Sequence, residues 1–378
     1  MKTLKNIIIG LAIIFALVYT LNLEYFVKGI RVVYLNGQTT VFIDDLKYFD
    51  HEVIESTPEK SPWPINENVI DSFSDKFEKY NEDFGTVAYV VIHKDTIIAE
   101  KYYKGYSSNS STNSFSMAKT LVSAAMGKAL ELGYIKSLND KVIDYIPNLR
   151  GEFADQVRVV DLASMTSGLK WDEGTSDPFS PVAKQYFIND VEELMLNQPF
   201  IEKPGEKYHY SSGNTQLLSL LIEKASGIKF DKFFEKEIWS KINPDNDAYW
   251  QLDSKEKGNI KSFCCFHSNA RDFSRLGRLY LNNGNWNGDQ IIDSLFIKRS
   301  MTPFLESFDA YGIGVWLSNH KELNISLMSG HQGQYVIMIP EKDLIITRLG
   351  ERDIDLGGPG VSGDVLVYID EALSLIQD

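Results

Sequence analysis

The alternation of apolar and polar residues predicts two groups of β-strands separated by a long helical section. Strands are predicted at residues 86–92 and 96–103, and the turn His93-Lys94-Asp95 joins them as a hairpin. A second group of strands is predicted at residues 311–317, 324–328, 334–339 and 344–349. The two groups of strands therefore lie toward opposite ends of the folded part.

Apolar residues at helical spacing predict helices before, between and after these strands. The predicted helices span residues 66–82, 116–132, 216–226, 271–281 and 361–377. Two of them stop at Gly133 and Gly227, and glycine is a frequent residue just past a helix end.

Two strands alone are only marginally stable, so the first hairpin needs partners. The economical solution is one antiparallel sheet that contains both groups of strands. The fold class predicted is therefore α+β: an antiparallel sheet flanked by helices, with an all-helical lobe at about residues 104–300 inserted into it. We expect residues 66–378 to form this domain, with a ligand cleft between the lobes.

The N-terminal segment predicts a membrane anchor. Lys2 and Lys5 precede an uncharged, mostly apolar stretch at residues 6–23, which is just long enough to cross a bilayer as a helix. A cleaved signal peptide is the alternative. Both interpretations place residues 24–378 outside the cytoplasm, in the periplasm or the extracellular space. Residues 24–65 are interpreted as a membrane-proximal arm.

Composition narrows the possible partners. The 378 residues carry a formal net charge of -14, which argues against nucleic-acid binding.

The two cysteines, Cys264 and Cys265, are neighbours in sequence. Their Cα atoms lie about 3.8 Å apart, below the usual disulfide range. We therefore expect two small core residues that face opposite sides of a strand.

The run Ser116-Met117-Ala118-Lys119 is the first candidate for chemistry. Positions i and i+3 share one helix face, and a lysine whose pKa is lowered by burial can take the proton of a serine hydroxyl. Ser-x-x-Lys by itself is a weak signal, because it also occurs at Ser167, Ser226, Ser254 and Ser318. Only Ser116 opens a long helix rich in small residues. A simple helix cap is the alternative role for Ser116.

Two later motifs add candidate groups. Tyr210 lies in the loop before a predicted helix, where its phenol could relay a proton. Residues 330–334 (Gly-His-Gln-Gly-Gln) lead into a strand, and the backbone amide of Gln334 could join that of Ser116 in an oxyanion hole. The alternatives are a packing tyrosine and a hairpin turn with an exposed His331.

These three motifs, in this order and spacing, resemble the serine β-lactamase and penicillin-binding-protein superfamily over residues 66–378. Supporting segments are Tyr145-Ile146-Pro147, Leu162-Ala163-Ser164-Met165-Thr166-Ser167-Gly168-Leu169 and Leu279-Tyr280-Leu281-Asn282-Asn283-Gly284. Ser-Met-Ala-Lys, Phe263-Cys264-Cys265 and Gly330-His331 are most similar to the 6-aminohexanoate-dimer hydrolase and esterase branch. The resemblance implies a two-lobed fold with Ser116 as nucleophile, Lys119 as base and Tyr210 as proton relay.

Two departures from the superfamily pattern affect the expected substrate. Penicillin-active relatives often carry Tyr-x-Asn, whereas Ser212 takes the third position here. They also carry Lys-Thr-Gly, where this chain has His331-Gln332-Gly333, and a histidine is mostly neutral at pH 7. We expect Ser212, His331 and Gly333 to line the substrate site.

The favoured function is acyl-enzyme hydrolysis of a small carboxylic ester or linear amide, with no metal or other cofactor. A β-lactamase or D-Ala-D-Ala peptidase is the alternative. A membrane-tethered binding or sensor protein without turnover ranks third.

Overall fold

The computed structural model describes residue 6 and residues 18–21, 23–174, 177–352 and 363–376. Most of the predicted anchor at residues 6–23 lies outside these ranges. Within them, no helix is both long and apolar enough to cross a membrane.

The elements are numbered along the chain. The first part contains α1 (Glu24–Val32), β1 (His51–Ile54), β2 (Ile65–Ile70), α2 (Asp75–Asp83), β3 (Thr86–His93), β4 (Thr96–Tyr102) and β5 (Thr112–Asn113). The middle contains α3 (Ala118–Glu131), α4 (Val159–Ala163), α5 (Pro181–Phe187), α6 (Val191–Leu196), α7 (Ser212–Ser226), α8 (Phe230–Phe234), β6 (Ala248–Gln251), β7 (Phe266–Ser268) and α9 (Ala270–Leu281). The last part contains β8 (Asn285–Trp286), β9 (Asp289–Gln290), α10 (Ser294–Ser300), β10 (Trp316–His320), β11 (Leu323–Gly330), β12 (Gln334–Ile339), β13 (Leu344–Gly350) and α11 (Gly363–Ser374).

One seven-stranded sheet joins the two groups of strands, as the sequence predicts. Its order is β10-β11-β12-β13-β3-β4-β2. β13 pairs antiparallel with β3, so the C-terminal strands complete the first hairpin. The pairing of β2 with β4 is parallel, which the predicted antiparallel sheet did not include.

Helices cover both faces of this sheet. Along β3, Tyr89 and Val91 pack with Phe77 of α2 and Tyr368 of α11, whereas Val90 belongs to the core on the other face. This period-two alternation is expected of a strand that is buried on both sides. On the opposite face, Gly277 of α9 brings that helix close to β12, because an added Cβ would lie 2.8 Å from Val336.

The second lobe is not all-helical, which corrects the prediction. α3 and α7 pack together at its centre, but a four-stranded sheet of order β1-β6-β7-β5 lies beside them. β8 and β9 form a further two-stranded ribbon. The strands of the small sheet are two to four residues long, and two of its three pairings, β1 with β6 and β5 with β7, join strands more than 100 residues apart, so no local periodicity reveals them.

Residues 24–65 pack against the rest of the fold. Five of their apolar side chains are buried in the main core: Val32, Ile43, Phe49, Ile54 and Trp63. β1 pairs residue by residue with β6, from His51 opposite Gln251 to Ile54 opposite Ala248. The term membrane-proximal arm therefore describes only where this segment lies in the sequence, directly after the predicted anchor. We call residues 24–65 the N-terminal segment.

The predicted helix at residues 66–82 is wrong in its first half. Residues Ile65–Ile70 form the edge strand β2, and the helix begins only after Ser74, whose hydroxyl accepts a hydrogen bond from Phe77 N at 3.3 Å. Val69, Ile70 and Phe73 are spaced as in a helix, but the first two belong to the strand.

Truncation of Ile54 tests whether the N-terminal segment stabilises the fold. Ile54 is fully buried, so Ile54→Ala should lower the free energy of unfolding by about 2–4 kcal/mol. Val53 is the matched control, because it lies on the same strand with 39% of its surface exposed. Val53→Ala should cost less than about 1 kcal/mol. Equal effects in urea unfolding would contradict the assignment of this segment to the core.

Candidate active site

The turn between β5 and α3 presents Ser116 at the cleft. Phe115 has a φ of 45°, in the left-handed region that a bulky residue seldom adopts. The buried amide of Asn113 supports this turn: its Oδ1 accepts hydrogen bonds from Phe115 N at 2.9 Å and from Cys265 N at 3.1 Å. Ser116 itself stays partly exposed. The strained turn therefore places Ser116 at the border between the core and solvent.

Lys119 lies directly beneath the serine. Its Nζ donates hydrogen bonds to Ser116 Oγ at 2.9 Å and to Phe263 O at 3.1 Å. Only 3% of the residue is exposed. Burial lowers the pKa of Lys119 to about 8, although the negative charge of Glu173 opposes the shift. A neutral amine is therefore accessible near physiological pH.

Small side chains let α3 occupy the centre of the molecule. Thr120 Oγ1 donates to Gly314 O at 2.6 Å, and Ser123 Oγ donates to Ile313 O at 2.8 Å. Gly314 approaches so closely that an added Cβ would lie 2.4 Å from the Cβ of Ser123. Residues 311–314, which the sequence analysis assigned to a strand, instead pack against this helix. β10 begins only at Trp316.

Tyr210 reaches the same two groups from the loop before α7. Its hydroxyl is close enough to Ser116 for that residue to oppose the rise in its pKa, and its ring centroid lies 4.9 Å from Lys119 Nζ. Burial, assisted by the charge of Glu173, raises the pKa of Tyr210 well above its usual value. Tyr210 is therefore a protonated phenol at neutral pH. Trp316 packs against it with a centroid separation of 5.5 Å.

Glu173 is a site residue that the sequence analysis did not identify. Its carboxylate accepts hydrogen bonds from Ser212 N at 3.0 Å, from the Ser212 hydroxyl, and from Trp171 Nε1 at 2.6 Å. It also raises the pKa of both Lys119 and Tyr210. Nothing in the sequence links residues 173 and 212, because they meet only through the fold. Ser212 is 2% exposed, and its polar groups bind this carboxylate.

Gln334 begins the strand that follows the turn after β11. It lies on β12, between β11 and β13, and its side-chain amide donates to Gly350 O at 2.6 Å. Its side chain therefore belongs to the interior of the sheet, whereas the oxyanion-hole role of its backbone amide stays a prediction. Gly330 is closer to the candidate nucleophile, since an added Cβ would lie 2.2 Å from Ser114 O. Next to it, His331 packs its ring 5.5 Å from that of Phe115.

His331 is the first residue of this turn, and Gly333 is the last. Gly333 has a φ of 78°, and an added Cβ would lie 1.9 Å from the guanidinium of Arg348. Arg348 Nη1 donates to the carbonyls of Gln332 and Gly333 at 2.8 Å each. Gly333 therefore serves the packing of the turn. His331 is partly buried rather than exposed.

The segment 263–265 forms the opposite wall of the site. Cys264 and Cys265 are joined to each other as a disulfide, so the expectation of two unbridged cysteines on a strand is wrong. Both precede β7 in a bend where Cys265 has a φ of 71°. Trp250 Nε1 donates to Cys264 O at 2.9 Å. These contacts hold Phe263 O where Lys119 binds it.

Comparison with known proteins agrees with this geometry. Residues 73–356 match the model of the family described as Beta-lactamase. The chain belongs to the Beta-lactamase family. This family contains hydrolases, and it includes the branch that the motifs resemble.

Three members of the Beta-lactamase fold illustrate this similarity. The 6-aminohexanoate-dimer hydrolase of Paenarthrobacter ureafaciens is 24% identical over 326 residues, which cover 79% of this chain and 81% of the relative. A Bacillus anthracis structure provisionally named a 6-aminohexanoate-dimer hydrolase has a TM-score of 0.71 at 20% identity, covering 88% of this chain and 92% of the other. A family VIII carboxylesterase has a TM-score of 0.60 at 14% identity, covering 81% and 99%.

The titration of Lys119 tests the electrostatics of this Beta-lactamase-family site. The Nζ resonance, assigned by its loss in Lys119→Met, should titrate near pH 8 in heteronuclear NMR. Glu173→Gln removes a negative charge that favours the ammonium, so the midpoint should move to lower pH. Glu192→Gln is a control on a carboxylate that pairs with Lys224 instead, and it should leave the midpoint unchanged. A midpoint near 10.5 in the wild type would contradict the buried environment.

Proposed function

We propose that the chain is a serine hydrolase that cleaves a carboxylic ester or a linear amide through an acyl-enzyme on Ser116. The observation that carries this proposal is the 2.9 Å hydrogen bond between Lys119 Nζ and Ser116 Oγ. Burial of the same lysine lowers its pKa to about 8. A hydroxyl next to a base that can be neutral at working pH is the usual arrangement of an activated nucleophile.

The acylation step uses groups that lie around Ser116. Neutral Lys119 accepts the hydroxyl proton as Ser116 Oγ forms a bond to the substrate carbonyl carbon. The carbonyl oxygen becomes an oxyanion, which the Ser116 amide at the start of α3 stabilises. The second amide in this proposal is that of His331, at the end of β11. It replaces Gln334 because Gly330 and His331 contact Ser114 and Phe115, the residues that precede the nucleophile.

The proton then passes to the leaving group through Tyr210. This phenol is a neighbour of Ser116, and its ring centroid lies 4.9 Å from Lys119 Nζ. It can donate its proton to the departing oxygen or nitrogen and recover one from Lys119. Water subsequently attacks the acyl-enzyme, returns a proton to Ser116 Oγ and releases the acid. The reaction requires no electron transfer.

The groups around the site support an ester or simple amide over a β-lactam. The end of β11 reads Met328-Ser329-Gly330-His331, with no lysine or arginine to attract a substrate carboxylate. The named activities of the relatives, a 6-aminohexanoate-dimer hydrolase and a carboxylesterase, belong to linear amides and esters. We propose the same substrate classes for this chain, with the folded part outside the cytoplasm as its N-terminal sequence predicts.

Replacement of Ser116 tests the nucleophile. Ser116→Ala should abolish labelling by a fluorophosphonate probe and reduce ester turnover by at least about 10³-fold, because no other group can carry the acyl chain. Ser318→Ala is the matched control, since Ser318 also begins a Ser-x-x-Lys run but lies on β10. It should keep both activities. Labelling that persists in Ser116→Ala would refute the assignment.

A substrate panel separates the two enzyme alternatives. p-Nitrophenyl esters and short linear amides should be hydrolysed with kcat/KM values at least about tenfold above that for nitrocefin, because the turn after β11 carries His331 in place of a lysine that could pair with a β-lactam carboxylate. Turnover of nitrocefin at a rate comparable to that of the esters would favour a β-lactamase instead. A single burst without steady-state turnover would indicate a sensor.

A further inference from the structure

An apolar cavity lies between α1 and α5, beside the candidate active site. It has a volume of about 140 Å³ and opens to solvent, which is close to the roughly 150 Å³ of an apolar protein cavity that binds benzene. Its walls include Phe26, Gly29 and Ile30 of α1, Val41 from the segment that follows, and Val182 and Ala183 of α5. The described residues that line it include no Asp, Glu, Lys or Arg. The cavity therefore suits an uncharged, apolar ligand.

The N-terminal segment builds most of this cavity. The match to the Beta-lactamase family begins at residue 73, so α1 and residues 33–41 lie outside the matched region. The segment is fixed in place, because Val41 O accepts a hydrogen bond from Gln332 Nε2 at 2.9 Å. Asn113 N, three residues before Ser116, also donates to Ile43 O at 2.9 Å. The cavity is thus a firmly attached addition to the hydrolase domain.

Two residues connect the cavity to the surroundings of Ser116. His331 lines the cavity and packs on Phe115, with the ring centroids 5.5 Å apart. Tyr186 lines it as well, and its ring lies 6.4 Å from that of Phe263, whose carbonyl binds Lys119. Tyr210, the proposed donor to the leaving group, is not among the lining residues. The cavity therefore adjoins Phe115 and Phe263, which border Ser116 and Lys119.

We propose that this cavity binds the acyl chain of the substrate, so that the enzyme prefers esters or amides of linear, medium-length carboxylic acids. The inference rests on the proposed function, because an acyl chain is bound only if Ser116 is acylated. Each methylene that moves from water into the cavity should raise kcat/KM by about fourfold, given the transfer free energy of a buried CH₂ group.

The chain-length dependence of p-nitrophenyl ester hydrolysis tests the proposal on the full-length chain. The wild type should show a rise in kcat/KM from acetate to octanoate. Ile30→Trp places a large side chain in the cavity and should reduce the octanoate-to-acetate ratio by at least about tenfold. Ala183→Trp should do the same from the opposite wall. Val27→Trp is the matched control, because Val27 lies on the same helix but is 48% exposed and does not line the cavity.

A second readout does not depend on turnover. The rate of Ser116 labelling by alkyl fluorophosphonates should rise with alkyl length in the wild type and in Val27→Trp, but not in the two cavity variants. A flat chain-length profile in the wild type would overturn the acyl-chain proposal, and so would an equal slope in all four proteins. If Ile30→Trp instead dissociated a dimer without altering the slope, the cavity would be an interface between two copies.

The test of the proposed function can be separated from the test of the acyl-chain proposal. Hydrolysis of the acetate ester that depends on Ser116 supports the hydrolase assignment whatever the slope. If Ser116→Ala kept both labelling and turnover, both proposals would lose their basis.

Discussion

The burial of one ammonium group constrains the whole site. A lysine removed from water costs free energy unless its donors find partners. Lys119 finds them in the Ser116 hydroxyl and the Phe263 carbonyl, with the face of the Tyr210 ring 4.9 Å away. The partners come from three distant parts of the chain. The helix that carries Lys119 must therefore lie at the centre of the molecule, which explains why α3 is almost entirely buried and rich in small residues.

A second buried polar network fixes the turn before the nucleophile. Asp45, from the N-terminal segment, accepts hydrogen bonds from Asn113 Nδ2 at 3.2 Å and from Gln251 Nε2 at 2.7 Å, and it also binds the hydroxyl of Tyr186. Burial raises the pKa of Asp45, although these donors oppose the shift. Asn113 in turn binds the amide of Phe115. The segment that precedes the family domain thus supports the backbone conformation of the residue next to Ser116.

The sequence predicts those features that depend on local pattern. The shared sheet follows from strand periodicity and from the instability of an isolated hairpin. The pairing of Ser116 with Lys119 follows from helical spacing. The small sheet could not be predicted, because β1 and β6 are short and almost 200 residues apart. Glu173 was missed for the same reason, since its partner Ser212 is 39 residues away. The oxyanion-hole role of the Gln334 amide stays a prediction, because sequence order does not reveal which strand end lies beside Ser116.

Glu173 and the apolar cavity give the two sides of Ser116 different characters. On the side of Tyr210, a carboxylate raises the pKa of the phenol and of Lys119, so both groups hold their protons more tightly. A bare carboxylate there would oppose the use of Lys119 as a base. Its charge is moderated by three donors, the Ser212 amide, the Ser212 hydroxyl and the Trp171 indole. The pKa of Lys119 therefore reflects a balance in which burial outweighs Glu173.

On the other side, His331 and Tyr186 face a cavity whose described walls carry no Asp, Glu, Lys or Arg. A ligand chain in that cavity would displace water from the apolar surface beside His331, whose ring packs on Phe115, the residue before Ser116. Activation of the base does not require this ligand, because the fold already buries Lys119, with only 3% of the residue exposed. The cavity would therefore contribute to substrate preference, while the burial of Lys119 sets the reactivity of Ser116.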